Sequence, residues 1–197
     1  MEGNEAGGHI GPVSINVLVQ EILPHIKEVP IFVAGGIGRG EVILKFLQLG
    51  AAGCQIGTRF VCANESIAHS KFKNIFIKSE ARNAQISVKI DDRLPVIPVR
   101  AIENSATQNF ISEQKKLINL VEKKEISLKD AQLSIEHFWA GSLKKAVIDG
   151  DVESGSLMAG QSVSLVKKLQ SVSEIFNELT QQMKSQINFE QKDSNNG

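Results

Sequence analysis

Two short apolar runs, Pro30-Ile-Phe-Val-Ala34 and Gly53-Cys-Gln-Ile-Gly57, each meet glycine at their C-terminal end and each stand between segments of helical spacing. Strands buried on both faces look like this, and such strands belong to parallel sheets covered by helices. Before the first run, Ile15, Val17, Leu18, Ile22 and Ile26 fall mostly at helical intervals, with Ser14 as a candidate N-cap and a disturbance near Pro24. Between the runs the spacing predicts a helix over Gly40 to Leu49, closed at Gly50, where glycine adopts the left-handed conformation without penalty. A third helix is expected to open at Asn64 or Glu65 and run to about Ser79. The order helix, strand, helix, strand, helix with short connections predicts an α/β fold built from βαβ units.

After Glu80 the pattern changes. Ala84 to Ile90 alternates, and Leu94 to Val99 carries two prolines that suit an edge or an extended connection better than a central strand. Helices are expected over Asn109 to Lys124, over Leu128 to Val147 with Ser127 as its cap, and over Val172 to Met183. Phe138 and Trp139 read as core anchors. Gln186 to Gly197 has few large apolar groups and reads as a frayed, disordered tail. The pattern divides the chain into an α/β part over 1–82, a different, mostly helical part over 83–150, a segment over 151–185 and the tail over 186–197. No internal repeat is present.

Composition closes off several function classes. Lys plus Arg is 22 and Asp plus Glu is 22, so the formal charge is zero and the basic footprint of nucleic-acid binding is missing. No apolar run approaches the ~18 to 20 residues of a membrane span. Cys54 and Cys62 form no disulfide framework and no metal-ligand spacing, and the opening Met1-Glu2-Gly3-Asn4-Glu5 is not a basic-then-apolar leader. The expectation is a reducing cytoplasm, buried thiols, no metal, no nucleic acid and no membrane.

Three segments carry residues suited to chemistry. Val33-Ala-Gly-Gly-Ile-Gly-Arg-Gly40 places glycines where a buried strand gives way to a helix, so the amides of Gly35 and Gly36 can approach an anion and the helix start favours its charge. The spacing fits neither the dinucleotide fingerprint nor the P-loop. One βα unit later, Gln55-Ile-Gly-Thr-Arg-Phe60 offers the Gly57 amide and the Thr58 hydroxyl, and two successive loops can share one phosphate, as after the last two strands of (β/α)₈ barrels. The competing reading is turn chemistry alone. Arg59 suits either a phosphate or a surface or inter-helix salt bridge. In Glu5-Ala-Gly-Gly-His-Ile-Gly11 the imidazole of His9 sits among glycines that let a flat ligand approach, and it can take or give a proton. A structural histidine is the alternative there, and His25, His69 and His137 are read as structural.

Glu5-Ala-Gly-Gly-His-Ile-Gly11, Ala34-Gly-Gly-Ile37, Gly57-Thr-Arg-Phe60 and Gly150-Asp-Val-Glu-Ser-Gly-Ser-Leu-Met-Ala-Gly-Gln161, in that order, resemble the nitronate monooxygenase or 2-nitropropane dioxygenase family. That family also contains FMN-dependent enoyl-acyl-carrier-protein reductases. The resemblance reaches to about Leu179 and implies an FMN-binding TIM barrel with a small, partly helical substrate domain after the last strand. It implies that Ala34, Gly35, Gly36, Gly57 and Thr58 bind the FMN phosphate, that Glu2 and Gly7 contact the flavin, that Gln161 lines the site near the ring, and that His9 is the active-site histidine. In the monooxygenase form, FMN passes electrons from an alkyl nitronate to dioxygen. In the reductase form, NAD(P)H reduces FMN, which delivers hydride to an enoyl thioester.

A TIM barrel has eight strands and typically ~250 residues. This sequence offers the two strands ending near Ala34 and Gly57, so it is expected to be the C-terminal portion of such a barrel. Weak or absent FMN binding by the isolated chain is expected, with self-association or a complementing N-terminal half covering its unpaired strand edges. The alternatives are a reductase fragment, a non-catalytic barrel fragment that needs a partner chain, and a phosphate-binding αβ module for another ligand.

Overall fold

The computed structural model describes residues 1–195. Its first part runs β1 (Gly8–His9), α1 (Ile15–Ile22), β2 (Phe32–Ala34), α2 (Gly40–Gln48), β3 (Gly53–Gln55), α3 (Thr58–Val61) and α4 (Ser70–Lys78). The two apolar runs form the parallel pair β2 and β3, in the register Phe32↔Gly53, Val33↔Cys54 and Ala34↔Gln55, with α2 as the crossover. On the other side of β2, Ala34 N donates to Met1 O at 3.0 Å and Gly3 N donates to Ala34 O at 2.9 Å, so the opening residues run parallel beside it. The chain therefore leaves three adjacent parallel segments near one end of the sheet, at Gly3, Gly35 and Ile56. Ile15, Val19 and Leu23 of the α1 region and Phe46 of α2 pack against Val33 and Ile37, which is why the apolar stripes fall on one face of each helix.

The second part runs β4 (Ala84–Ile86), β5 (Val99–Ile102), α5 (Ser105–Glu122), α6 (Leu128–Phe138), α7 (Ser142–Val147), a 3-10 turn (Gln161–Leu165) and α8 (Val172–Asn195). Here β1, β5 and β4 form an antiparallel sheet with β5 in the centre. Of the two expectations for the proline-bearing stretch, the extended connection holds up to Pro98 and the edge strand does not, because the central strand starts just after it, at Val99, and neither proline has to donate within the ladder. Leu94, Phe110, Leu117, Ala131 and Ile135 are the buried core of this part, with Phe138 and Trp139 packed against it as anchors.

The segment 151–170 stitches the two parts together. Ile102 N donates to Leu157 O, Gln161 N to Glu5 O and Asn64 N to Gln170 O, at 2.8 to 2.9 Å. Leu157, Ala159, Val163 and Val166 from this segment complete a core with Phe72 and Phe76 of α4. The return crosses the Gly7 loop at a glycine pair, because a Cβ on Gly7 would lie 2.6 Å from Gly160 N and one on Gly160 would lie 2.7 Å from Glu5 O.

Several boundaries differ from the sequence expectation, each for a local reason. The third helix begins at Ser70, because His69 is its N-cap and accepts a hydrogen bond from Lys71 N, while the Lys73 ammonium holds the preceding loop through Ala63 O and Ser66 O. The helix expected over Leu128 to Val147 is two helices, divided where Gly141 takes φ +72°. The tail read as disordered is helical to Asn195. Its Glu190 carboxylate accepts from Lys45 and Gln48 of α2, so polar docking holds a stretch that apolar content does not announce. Residues 196 and 197 of that tail lie outside the described residues. Among the described residues, no helix is long and apolar enough to cross a membrane.

Candidate functional site: two cavities that meet at Met158

The chain segments ending β2 and β3 and the loop before β1 enclose a cavity of about 190 Å³. Glu2, Gly7, Ala34, Gly35, Gly36, Gly57 and Thr58 all line it. Gly35 and Gly36 adopt φ +103° and +69°, a region that disfavours any side chain. The carbonyls and amides of Gly3 and Ala6 press on Gly35 from behind, where a Cβ would lie 3.0 to 3.3 Å away. Gly57 is different, since its φ is −93° and a Cβ there would meet nothing within 4 Å. Its lack of a side chain leaves space rather than relieving strain. The parallel bridge of Ala34 to Gln55, with Ala34 N and O themselves turned to Met1 and Gly3, directs the Gly35 amide to Gln55 O, whereas among the described residues the amides of Gly36 and Gly57 make no turn or loop hydrogen bond to a carbonyl.

Thr58 faces the same space with its hydroxyl oriented. Its Oγ1 accepts from Gly160 N at 2.9 Å, which leaves the hydroxyl proton to be donated into the cavity. Unpartnered amides and one polarised hydroxyl converge on one volume, and that donor set suits a phosphate's acceptor oxygens. The helix start that the sequence offered as a further anion donor is not part of it. Gly40 N donates to Gln182 of α8 at 2.7 Å, and α8 lies so close that a Cβ on Gly40 would strike Leu179 O.

Arg59 is directed inward rather than to the cavity. Its guanidinium donates to Gly38 O and to Gln170 Oε1 at 3.1 Å and pairs with the Glu178 carboxylate at 2.6 Å. The hydrogen bonds from Arg59 and Gln170 hold the Glu178 carboxyl below its ordinary range. Among the described residues no lysine or arginine lines the cavity, so an anion there meets neutral donors and, at the margin, the Glu2 side chain. Gln161 does not line it either. Its backbone is tied to Glu5 O, and the next residue, Ser162, forms that part of the wall. Ser162 and Met158 were not singled out as site residues, because neither belongs to a glycine turn.

His9 lines a second cavity of about 340 Å³, between the antiparallel sheet and helices α5, α6 and α7. The ladder to β5, with His9 opposite Val99, fixes its backbone. Met158 is opposite Ala101 of β5 in an isolated bridge and lines both cavities, so the two spaces adjoin there. The thiols take no part. Burial raises the Cys62 pKa to about 11, and that side chain sits beneath α4.

The class that the structure defines is an α/β fold with a glycine-lined cavity beside an apolar chamber, and comparison with known proteins gives the family. The family model described as nitronate monooxygenase matches residues 1–182, and the chain belongs to that family. It is 27% identical over 192 residues to a (3aS,4S,5R,7aS)-5-hydroxy-7a-methyl-1-oxo-octahydro-1H-indene-4-carboxyl-CoA dehydrogenase of Rhodococcus jostii, covering 86% of this chain and 54% of that protein. A Staphylococcus saprophyticus protein described as "Probable nitronate monooxygenase" is 28% identical over 166 residues, covering 74% of this chain and 45% of its own length. Among solved structures, FabK from Thermotoga maritima superposes with a TM-score of 0.77 at 29% identity, over 97% of this chain and 55% of that one. A nitroalkane oxidase from Streptomyces ansochromogenes, at TM-score 0.65 and 22% identity over 93% of this chain and 50% of that one, shows the shared fold alone. The chain spans about half the length of the curated relatives it matches.

Proposed function

We propose that the chain provides the phosphate cradle and the substrate chamber of an FMN-dependent oxidoreductase that oxidises alkyl nitronates. The observation that supports this is the convergence of Gly35, Gly36, Gly57 and Thr58 on one cavity that adjoins, at Met158, the cavity lined by His9. FMN, when bound, supplies the electron transfer from the nitronate to dioxygen. The Gly36 and Gly57 amides and the Thr58 hydroxyl donate to the phosphate oxygens, and Glu2 and Gly7 border the flavin. His9 donates to the nitronate oxygens, or takes the α-proton of the parent nitro compound at an imidazole nitrogen. The mostly helical part excludes water from the reacting group. The likeness to FabK and the apolar character of the His9 cavity support a second reading, in which the same chamber takes the acyl part of an enoyl thioester and NAD(P)H is the reductant.

Fluorescence titration of FMN and of riboflavin separates the phosphate cradle from general stacking. FMN is expected to bind weakly but saturably to the isolated chain, riboflavin to bind at least tenfold more weakly, and Gly57→Asp to abolish the difference by setting a carboxylate into the space beside the phosphate. Equal binding of the two flavins, or an unaltered preference in Gly57→Asp, rules the cradle out.

A further inference from the structure

The antiparallel sheet sorts the residues of the larger cavity by face. Side chains alternate along a strand. His9 stands opposite Val99, Gln85 opposite Ala101, and Met158 opposite Ala101 on the edge away from β4. Ser156, two residues before Met158, shares their face and lines the same cavity, while Leu157 turns to the core with Ile102 and Ala84. The bond from Ile102 N to Leu157 O carries the register on, so that Ser156 comes opposite Glu103, four residues along from Val99. At ~3.4 Å per residue, His9 and Ser156 stand roughly 13 Å apart along one wall.

Ser156 is 6% exposed, and its hydroxyl has no hydrogen-bond partner. Its backbone is held without that hydroxyl, since Ser156 N donates to Ser142 O at 3.0 Å. The Ser142 hydroxyl is likewise buried and unpartnered. Elsewhere on the wall the Thr107 hydroxyl is exchanged with Asn104, Ser87 Oγ accepts from Val99 N and donates to Ile97 O, and the Gln85 amide donates to Arg82 O. A buried hydroxyl without a partner costs free energy and returns none to the fold, so a structural role does not account for Ser156. Its donor and both its acceptor positions are free for a ligand oxygen. Among the described residues no lysine or arginine lines the chamber and Glu136 brings a carboxylate to it, which favours a neutral oxygen over an anionic one.

We infer that Ser156 is a specificity residue, whose hydroxyl binds a neutral oxygen, a carbonyl or a hydroxyl, at the end of the substrate remote from the group that reacts beside His9. This rests on the proposed reading of the His9 cavity as the substrate chamber, and deepens it by naming what the substrate carries at its far end. A substrate that spans the chamber is held at two points, and one that lacks the remote oxygen leaves the Ser156 hydroxyl buried and unpaired.

Trp139 is the only tryptophan in the sequence and lines the chamber, so its emission reports occupancy without flavin or turnover. The probes are straight-chain diols with a hydroxyl at each end, from butanediol to dodecanediol, each set against the primary alcohol of equal length. Octanediol is expected to bind at least as tightly as octanol despite its stronger hydration. Ser156→Ala is expected to weaken octanediol about five- to tenfold, the usual worth of one hydrogen bond, and octanol less than twofold, because its single hydroxyl can turn to His9. Butanediol, too short to reach both ends, is expected to bind wild type and Ser156→Ala alike. Ser156→Ala should also melt no lower than wild type, since the hydroxyl it removes bonds nothing in the fold. Octanediol affinity unmoved by Ser156→Ala, an equal loss for octanediol, octanol and butanediol, or wild-type octanediol binding tenfold more weakly than octanol overturns the inference. Failure of FMN to bind leaves these results standing and removes the flavin reading alone, whereas FMN binding with diols indifferent to Ser156→Ala removes this inference alone.

Discussion

The two cavities are built from different material. The smaller one is a backbone object, with its floor and donors supplied by Gly35, Gly36 and Gly57 and side chains at its margin. The larger is a side-chain object, assembled from one short sheet and three helices distant in sequence. A backbone site is damaged by adding a Cβ and a side-chain site by removing one, so opposite substitutions should injure the two regions independently.

The sharpest break is in the larger region. Phe110 is 2% exposed, with its ring centroid 5.0 Å from those of both Phe138 and Trp139. Phe110→Ala is expected to destabilise the chain by about 3 to 5 kcal/mol in urea unfolding, the usual cost of a buried aromatic. The cradle should keep its preference for FMN over riboflavin wherever the variant is folded, and loss of that preference would show that the two cavities are not separable.

The converse substitution is Gly35→Val. At φ +103°, with Gly3 O and N about 3 Å from the new Cβ, it is expected to cost about 1 to 3 kcal/mol of backbone strain, more if the Gly3 strand is displaced. FMN affinity should fall with it, while the emission of Trp139, which lines the larger cavity, keeps its wild-type spectrum. Retention of both would mean that the glycine is dispensable and that the cradle reading rests on Gly57 and Thr58 alone.

This contrast also explains what was legible in the sequence. That Gly35, Gly36, Gly57 and Thr58 share one cavity was readable, because loops leaving adjacent parallel strands face the same end of the sheet. The parallel pair β2 and β3 was readable because two short runs between helical segments each end in glycine, although Phe32 and Gln55 are exposed rather than buried on both faces as expected. The antiparallel sheet was not, since β1 is two residues long and its partner β5 lies about ninety residues away. The helical end of the chain was missed because Glu190, Lys45 and Gln48 bind through polar contacts that carry no apolar period. Arg59 was left open between two roles because spacing cannot say which way a guanidinium turns, and only packing with α8 decides it.

That ion pair offers a break in a third place, the joint between α3 and α8. Arg59→Met removes two hydrogen bonds and an ion pair and is expected to cost about 1 to 3 kcal/mol at neutral pH. The Glu178 carboxyl is held below its ordinary range in the folded chain, so the pair's contribution is complete above the ordinary carboxylate pKa and is lost as pH falls through the folded value. Thermal melts should therefore show the gap between wild type and Arg59→Met narrowing in acid. A gap that is independent of pH would assign the cost to packing of the arginine stem rather than to its charge.

The smallest effects concern helix starts, where the two regions again differ. Ser127 caps α6 by accepting from Asp130 N at 3.1 Å, and Ser127→Ala is expected to cost about 1 kcal/mol. Ser14 occupies the same position before α1 but makes no side-chain capping bond. The Glu5 carboxylate serves α1 instead, accepting from Ile15 N at 3.1 Å. The acid that stands four residues before His9 is thus a cap for the helix behind the cradle, and its Cβ also packs beneath Gly36. Thermal melts of Ser14→Ala should show a loss of no more than a few tenths of a kcal/mol, with Glu5→Ala losing about as much as Ser127→Ala. A full capping loss in Ser14→Ala would return that role to the residue that the sequence position names.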